Sequence, residues 1–283
     1  MSNKQMKPDS VNNHWLFLSV YYAKNSWGNL VTEILTIIED FKKGKKIQNH
    51  IILFSHERGE NVRLAISSAD SHKINELSVL IEERISSFIV NNPSTLDEEF
   101  EYGKTLWCNY TNNSLVWNTY DLSRISIVDI NLLSKTSAII FEFLNDDFSS
   151  ENFYSVSLFL LVQVFKNIKS AKEIATIEKT VNNYSTELSQ FKEQYVSTDE
   201  LVTEFGGRWI EIFELIHSYW NDSDNDNIVD LKEWEDSIKK KIQKGESILT
   251  LTYAIFYVLG LNTTERYFLL GLLSKYFRES KLF

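Results

Sequence analysis

The chain has 283 residues, with 29 Lys+Arg against 39 Asp+Glu, which gives a formal net charge of −10. This length predicts one large domain or two closely packed ones, and 43% apolar with 24% charged residues is typical of globular proteins. A single cysteine, Cys108, excludes an internal disulfide framework and a cysteine-based zinc site. The negative net charge argues against broad nucleic-acid binding.

We expect a cytoplasmic protein with no membrane partner. The longest strongly apolar runs fall short of the ~18–20 residues of a membrane span. The N-terminal segment before Trp15 also has no apolar signal core.

The first third of the chain alternates strand and helix patterns. β-branched and aromatic runs predict strands, and apolar residues at helical spacing predict helices. The resulting β-α-β-β-α order is typical of a small antiparallel sheet with two helices on it. The predicted elements are strand His14–Tyr22, helix Leu30–Phe41, strands His50–Phe54 and Asn61–Ile66, and a helix from about Ser71 to Phe88.

Residues 89–150 are mixed, with candidate strands at Leu106–Tyr110, Leu115–Asn118 and Ile125–Ile130. From about Glu151 the periodicity is helical, which predicts an α+β fold whose C-terminal half is mostly helix. We expect a leader-docking α+β region at 1–150 and a helical region at 151–283, with a single compact unit as the alternative. The predicted helices are Phe153–Ile168, Ala171–Tyr195, Trp209–Trp220, Leu231–Lys244, Ile248–Leu259 and Thr263–Ser274.

The segment Asp222–Glu233 matches the ligand spacing of a helix-loop-helix calcium site. Its oxygen ligands would be Asp222, Asp224, Asp226, Asp230 and Glu233. The turn position that is usually Gly is Asn227, and the motif is solitary. The favoured alternative is an acidic loop in which Asp222 or Asp224 caps a helix. We therefore expect no metal ion and no other cofactor.

A resemblance rests on both ends of the chain. The Trp-led strand Trp15–Tyr22, the hairpin Ile51–Ile66 and the segment Ser247–Glu265 occur in the order found in the thiopeptide-type bacteriocin biosynthesis family. The chain resembles stand-alone relatives of the lantibiotic dehydratase elimination domain, whose segments read HLRLR and HMxxNRLxG. The resemblance implies the α+β fold of that domain.

Departures from the family pattern bear on the chemistry. Where the family has HLRLR, this chain reads Asn61-Val-Arg63-Leu-Ala65, and Thr252 stands where the family has its proton-handling histidine. Glutamate elimination requires a base for the α-proton and cations for the developing negative charge. Thr252 cannot act as that base near neutral pH, so ordinary glutamate elimination is not expected.

The departures make the chain most like the thiopeptide pyridine synthases. These enzymes perform a formal [4+2] cycloaddition of two dehydroalanines in a leader-bearing precursor peptide, with loss of water and of the leader. The resemblance implies a catalytic pair, Ser247 and Tyr253. Because the residues of acid-base elimination are missing, we expect Arg63 to orient a substrate carbonyl or to stabilise charge that develops on oxygen. Helical spacing places Tyr257 on the Tyr253 face of the same helix. The alternative is that Ser247 caps the helix and Tyr253 packs.

The implied partner is a modified precursor peptide with its leader, and a homodimer is compatible with the sequence. Two other functions stay open: a stand-alone glutamate-elimination subunit that uses Arg63, and a non-catalytic leader-binding scaffold or calcium-responsive module. Leader peptides can carry acidic residues, so we expect the leader to bind near the basic segment Lys42–Lys46. The alternative is that this segment is a solvated turn with no role in binding. The candidate substrate-binding residues are Trp15, Tyr21, Lys42, Lys43, Lys45 and Lys46.

Overall fold

The computed structural model divides the chain into two compact units. The first comprises residues 1–52 and 56–121, and the second comprises residues 53–55 and 122–283. The predicted functional division, with leader docking assigned to 1–150, stays a prediction. The residues that the structure describes are 14–68, 70–96, 109–118, 120, 129–144, 147–168, 174–180, 208–221 and 229–280.

The first unit is built on a four-stranded sheet in the order β2-β3-β1-β4. The central strand β1 pairs antiparallel with β3 on one side and with β4 on the other. This confirms the predicted N-terminal antiparallel sheet. The strands are β1 His14–Tyr21, β2 Asn49–Ser55, β3 Asn61–Ser68 and β4 Ser114–Trp117.

One face of this sheet is apolar because side chains alternate along each strand. It carries Leu18 and Val20 of β1 beside Leu64 and Val62 of β3, all buried. Helix α2 (Ser71–Asn91) packs against β1, β3 and β4, and α1 (Trp27–Lys43) packs against α2.

Polar contacts fix the helices of the first unit. Arg84 of α2 pairs with two carboxylates of α1, at 2.7 Å from Asp40 and 3.2 Å from Glu33. At the start of α1, the fully buried Trp27 donates its indole N–H to the backbone oxygen of Tyr22 at 2.8 Å. A large aromatic ring is therefore buried without an unsatisfied donor.

The opposite face of the sheet is polar and aromatic. It carries the alternate β1 residues Trp15, Phe17, Ser19 and Tyr21, and directly opposed residues of antiparallel strands share a face. In β3, Arg63 lies opposite Ser19 and Asn61 lies opposite Tyr21.

The second unit is helical in all its described residues apart from turns and the three residues of β2. Helix α3 packs on α6 and α7, and α4 packs on α5 and α7. Residues 174–180 are also helical. The helices are α3 Ile130–Leu144, α4 Ser150–Phe165, α5 Trp209–Asn221, α6 Val229–Gln243, α7 Ile248–Val258 and α8 Thr263–Ser280.

Two contacts illustrate the packing of the second unit. The buried Trp234 of α6 donates its indole N–H to Thr136 Oγ1 of α3 at 2.9 Å. Phe165 of α4 and Phe277 of α8 stack with 5.8 Å between ring centroids. None of the described helices combines the length and apolar character needed to span a membrane.

Helix α3 corrects the interpretation of residues 89–150. Of the three candidate strands there, Leu115–Asn118 is found as β4, while Ile130 begins a helix and Tyr110 is not in a strand. Residues 106–108 and 125–128 lie outside the described residues. The helix contains several Ile, Ser and Thr residues of modest helix propensity and is stabilised by its buried face, which includes Leu133, Ile140 and Leu144.

Candidate functional site

Ser247 is the N-cap of α7. Its backbone is extended (φ −76°, ψ 147°), and its hydroxyl oxygen accepts a hydrogen bond from the Thr250 backbone N–H at 3.1 Å. The Ser247 and Thr250 hydroxyls also lie 2.7 Å apart. Capping is the ordinary use of serine at this position, since it satisfies an amide that has no partner in the helix. The catalytic role of Ser247 stays a prediction.

Tyr253 and Tyr257 lie one helical turn apart on α7, both half-buried. The planes of the Tyr253 and Phe256 rings are perpendicular (90°), with 6.3 Å between the ring centroids. Most other residues of this helix are buried, so the two phenols belong to the small part of α7 that keeps solvent contact. These buried residues are Ile248, Leu251, Thr252, Ala254, Ile255, Phe256 and Val258.

The resemblance places Thr252 at the position of the histidine of the elimination domains. Its side chain is buried, and its hydroxyl donates to the backbone oxygen of Leu249 at 2.7 Å. This hydroxyl is thus occupied within its own helix. A buried alcohol of this kind cannot remove a proton from a substrate carbon near neutral pH.

Arg63 lies on the polar face of the first unit and is only 7% exposed. Its Nε donates to Asn61 Oδ1 at 3.2 Å, and its Nη2 donates to Glu57 Oε2 at 2.6 Å. The guanidinium also lies over the ring of Tyr120, at 5.0 Å from its centroid. The side chain of Glu57 is 67% exposed, so the ion pair joins a buried cation to a solvated carboxylate.

Tyr21 is buried beside this cation. Its ring lies 4.7 Å from that of Tyr110, and Arg58 donates to the Tyr110 hydroxyl at 3.2 Å. Burial raises the pKa of Tyr21, and the nearby positive charge of Arg63 partly opposes the increase. The Tyr21 phenol is therefore a neutral hydrogen-bond donor at physiological pH.

Trp15 belongs to the same face. Its ring stacks on Phe17 with 6.3 Å between centroids, and Phe17 meets Tyr120 edge-on at 5.3 Å. Three of the ten predicted site residues, Trp15, Tyr21 and Arg63, thus share one sheet face. Three more, Ser247, Tyr253 and Tyr257, belong to the second unit.

The predicted basic segment is exposed at the end of α1. Lys42 and Lys43 lie in its last turn, where cations are favourable next to the helix dipole, and Lys45 and Lys46 follow. Lys43 pairs with Glu39 at 3.7 Å, and Lys46 lies 5.8 Å from the centroid of the Phe41 ring.

The pairing of Tyr154 with Glu265 was missed by the sequence reasoning. The Tyr154 hydroxyl donates to Glu265 Oε1 at 2.9 Å, and burial together with this carboxylate raises the pKa of Tyr154. Glu265 Oε2 also accepts from the Asn262 backbone N–H at 2.7 Å, while Asn262 Oδ1 accepts from the Glu265 N–H at 3.0 Å. The Asn-x-x-Glu spacing of this reciprocal cap is a signal that the sequence does carry.

The predicted calcium loop lies largely outside the described residues. Asp222, Asp224 and Asp226 are not described, and Glu233 belongs to α6, at 4.0 Å from Lys135. Among the residues that are described, no group of three His, Cys, Asp or Glu side chains is placed to hold a metal ion.

Comparison with known proteins bears on the fold. No family model and no curated protein sequence matches the chain. Among solved structures it is similar to a pyridine synthase, TbtD, from thiomuracin biosynthesis, with a TM-score of 0.66 and 14% identity over 94% of this chain and 98% of TbtD. The chain has the fold of a pyridine synthase.

A second similar structure is that of TsrL, with a TM-score of 0.57 and 12% identity over 95% of this chain and 96% of TsrL. These likenesses run almost end to end in both proteins. They confirm the predicted resemblance to pyridine synthases and the predicted α+β fold class.

Proposed function

We propose that this protein is a thiopeptide maturation enzyme, a pyridine synthase that acts on a leader-bearing precursor peptide. It joins two dehydroalanines in a formal [4+2] cycloaddition and then releases water and the leader peptide. The observation that carries the proposal is the near end-to-end likeness to TbtD, a pyridine synthase. The products of this reaction are a six-membered nitrogen heterocycle in the core peptide and a free leader.

The chemistry suits the groups that the chain offers. The reaction needs an amide to tautomerise, two alkenes to be held together and protons to move when water leaves. Holding the reacting groups in place contributes up to about 7–11 kcal/mol. Neutral donors such as the Tyr253 phenol and the Ser247 hydroxyl serve the proton steps, and Arg63 orients a carbonyl. The partial exposure of Tyr253, on a helix whose residues are mostly buried, supports this role.

Glutamate elimination is the less supported alternative. Elimination of glutamate needs a base for the α-proton. Thr252, at the position of the family histidine, is buried and bonded to Leu249. The exposed lysines Lys42, Lys43, Lys45 and Lys46 support leader docking in either case, because their charge complements acidic leader residues.

Mass spectrometry separates the candidate functions. The purified protein is incubated with a leader-bearing precursor that contains two dehydroalanines and azole rings. We expect one water to be lost and the leader to appear as a separate product. A matched precursor with one dehydroalanine replaced by alanine serves as the control and should stay intact.

Other outcomes of the same experiment contradict the proposal. Loss of glutamate from a glutamylated precursor, with no ring formed, identifies an elimination subunit. Binding of the leader without any change of mass identifies a scaffold.

A further inference from the structure

The Arg63 guanidinium is buried but only partly used. Arginine has five N–H donors. Two of them are committed, one to Asn61 Oδ1 and one to Glu57 Oε2. Within the described part of the chain the remaining donors, both on Nη1 and one on Nη2, have no hydrogen-bond partner. In a residue that is 7% exposed, such donors are costly unless a ligand or water accepts from them.

The Tyr21 hydroxyl is a second hydrogen-bond donor on this sheet face that is not committed to the described structure. Tyr21 and Arg63 are on the same sheet face, with Tyr21 opposite Asn61 and Arg63 two residues further along β3. The charge of Arg63 acts directly on the Tyr21 phenol. Among the described residues nothing hydrogen-bonds to this hydroxyl. Neither this hydroxyl nor Arg63 Nη1 is among the described side-chain atoms that are fully buried without a partner, so neither atom is completely sealed from a ligand.

The neighbouring tyrosine shows the contrast. Tyr22 follows Tyr21 in the chain, and its hydroxyl donates to the backbone oxygen of Asn92. That contact ties the end of α2 to the chain after β1 and commits the hydroxyl to the structure. Tyr21 therefore has a donor to offer, whereas Tyr22 does not.

We propose that the Tyr21 hydroxyl and the uncommitted N–H groups of Arg63 together bind one amide oxygen of the peptide substrate. This assignment rests on the proposed function, since it takes the ligand to be that peptide. The Arg63 guanidinium only donates and the Tyr21 O–H can donate, and an amide oxygen has two lone pairs to receive them. Glu57 balances the charge of Arg63, so the site suits a neutral carbonyl that gains negative charge rather than a free carboxylate.

Binding is tested first without turnover. The chain is labelled with tyrosine carrying ¹³C at Cζ, and the Tyr21 resonance is assigned by its absence in Tyr21→Phe. On titration with the leader-bearing precursor we expect this resonance to shift and that of Tyr22 to stay in place. Saturating peptide that leaves the Tyr21 resonance unmoved overturns the proposal.

Kinetics provide the second test. Removal of one donor to a developing oxyanion typically costs about 10²-fold in rate, so Tyr21→Phe should lower kcat by this factor. Tyr22→Phe is the matched control and should lower Tm while leaving kcat unchanged. Combining Tyr21→Phe with Arg63→Lys should cost less than the product of the two single losses, because both donors act on one oxygen. If Arg63→Lys does not fold, Tyr21→Phe alone decides.

The two proposals fail in different ways. Turnover by Tyr21→Phe at the parent rate overturns the oxygen site and leaves the pyridine synthase function standing. A Tyr21 resonance that shifts in a protein without turnover overturns the function and supports the oxygen site.

Discussion

A Cβ atom at Gly260 would lie 2.3 Å from the backbone oxygen of Phe54. Gly260 follows α7 with φ +64°, a left-handed conformation that residues with a Cβ adopt only at a cost. The end of α7 thus approaches the backbone of residues 53–55 more closely than any side chain at position 260 allows. Gly260 is the last residue of the segment Thr252–Gly260 that resembles the family motif. In this structure a glycine is needed there because a side chain would overlap with Phe54.

Gly260→Ala should destabilise the second unit strongly. Left-handed backbone alone costs about 1–2 kcal/mol for alanine, and the overlap with Phe54 adds to it. Gly245→Ala is the matched control, because Gly245 has φ +92° but nothing within 4 Å of its added Cβ. Urea denaturation should show a clearly larger loss in the free energy of unfolding for Gly260→Ala. Equal losses would show that the contact with Phe54 relaxes freely.

Substitutions at Ser247 can separate capping from chemistry. Ser247→Ala should lower stability by about 1 kcal/mol, because the Thr250 N–H loses its acceptor. Ser247→Asp keeps the cap and removes the hydroxyl, so we expect stability near the parent with turnover reduced in both variants. Turnover that follows stability, reduced in Ser247→Ala and intact in Ser247→Asp, would make Ser247 a cap alone.

Tyr253→Phe tests the phenol of α7. The ring and its edge contact with Phe256 are retained, so thermal unfolding should change little. Loss of a hydrogen bond made in the transition state should reduce kcat by ~10²–10³. Tyr257→Phe, one turn away, is the comparison and should have a smaller effect. A folded Tyr253→Phe variant with the parent rate would contradict the assignment.

His50 makes stability depend on pH. Burial, with a contribution from the positive charge of Lys42, lowers the pKa of His50 from its ordinary 6.5 to about 4. Between these values the unfolded chain binds a proton that the native chain does not, so this stability is complete above pH 6.5 and declines as the pH falls towards 4. The effect is at most about 3 kcal/mol.

The measurement is chemical denaturation of the parent and His50→Gln at several pH values from 7 to 4. Carboxylates titrate in both proteins, so the difference between them reports His50. We expect the parent to lose more stability than the variant over this range. Parallel curves would rule out the effect.

Charge reversal tests leader docking. Changing Lys42, Lys43, Lys45 and Lys46 to Glu should weaken binding of an acidic leader peptide, and added salt should reduce the difference from the parent. Fluorescence polarisation of a labelled leader gives the Kd at low and high salt. The control has the same charge change on exposed lysines of and after α6, namely Lys232, Lys239, Lys240 and Lys244. Equal weakening by both sets would indicate a general charge effect.

Local patterns in the sequence predicted much of the fold. The strand-helix order up to residue 91 and the last four helices follow from apolar periodicity, which acts over a few residues. Helix α3 was missed because the buried face around Leu133 and Ile140 depends on tertiary packing, and its Ile and Thr residues also suit strands.

The candidate site was predictable only in part. The order of the motifs pointed to Ser247, Tyr253 and Arg63. Contacts between side chains that are far apart in the sequence have no comparable sequence pattern. The Tyr154–Glu265 bond joins residues 111 positions apart. The placement of Tyr21 near Arg63 on one sheet face depends on the β1–β3 register, which local sequence patterns do not specify.

Two tryptophans among the described residues are fully buried, one in each unit, and provide separate spectroscopic probes. Trp27 is held in the first unit by its bond to Tyr22, and Trp234 in the second by its bond to Thr136. Unfolding of either unit transfers its indole from a dry environment to water, which shifts the emission to longer wavelengths. Replacing one of the two by phenylalanine in turn therefore assigns each part of a fluorescence melting curve to the unit that loses its structure.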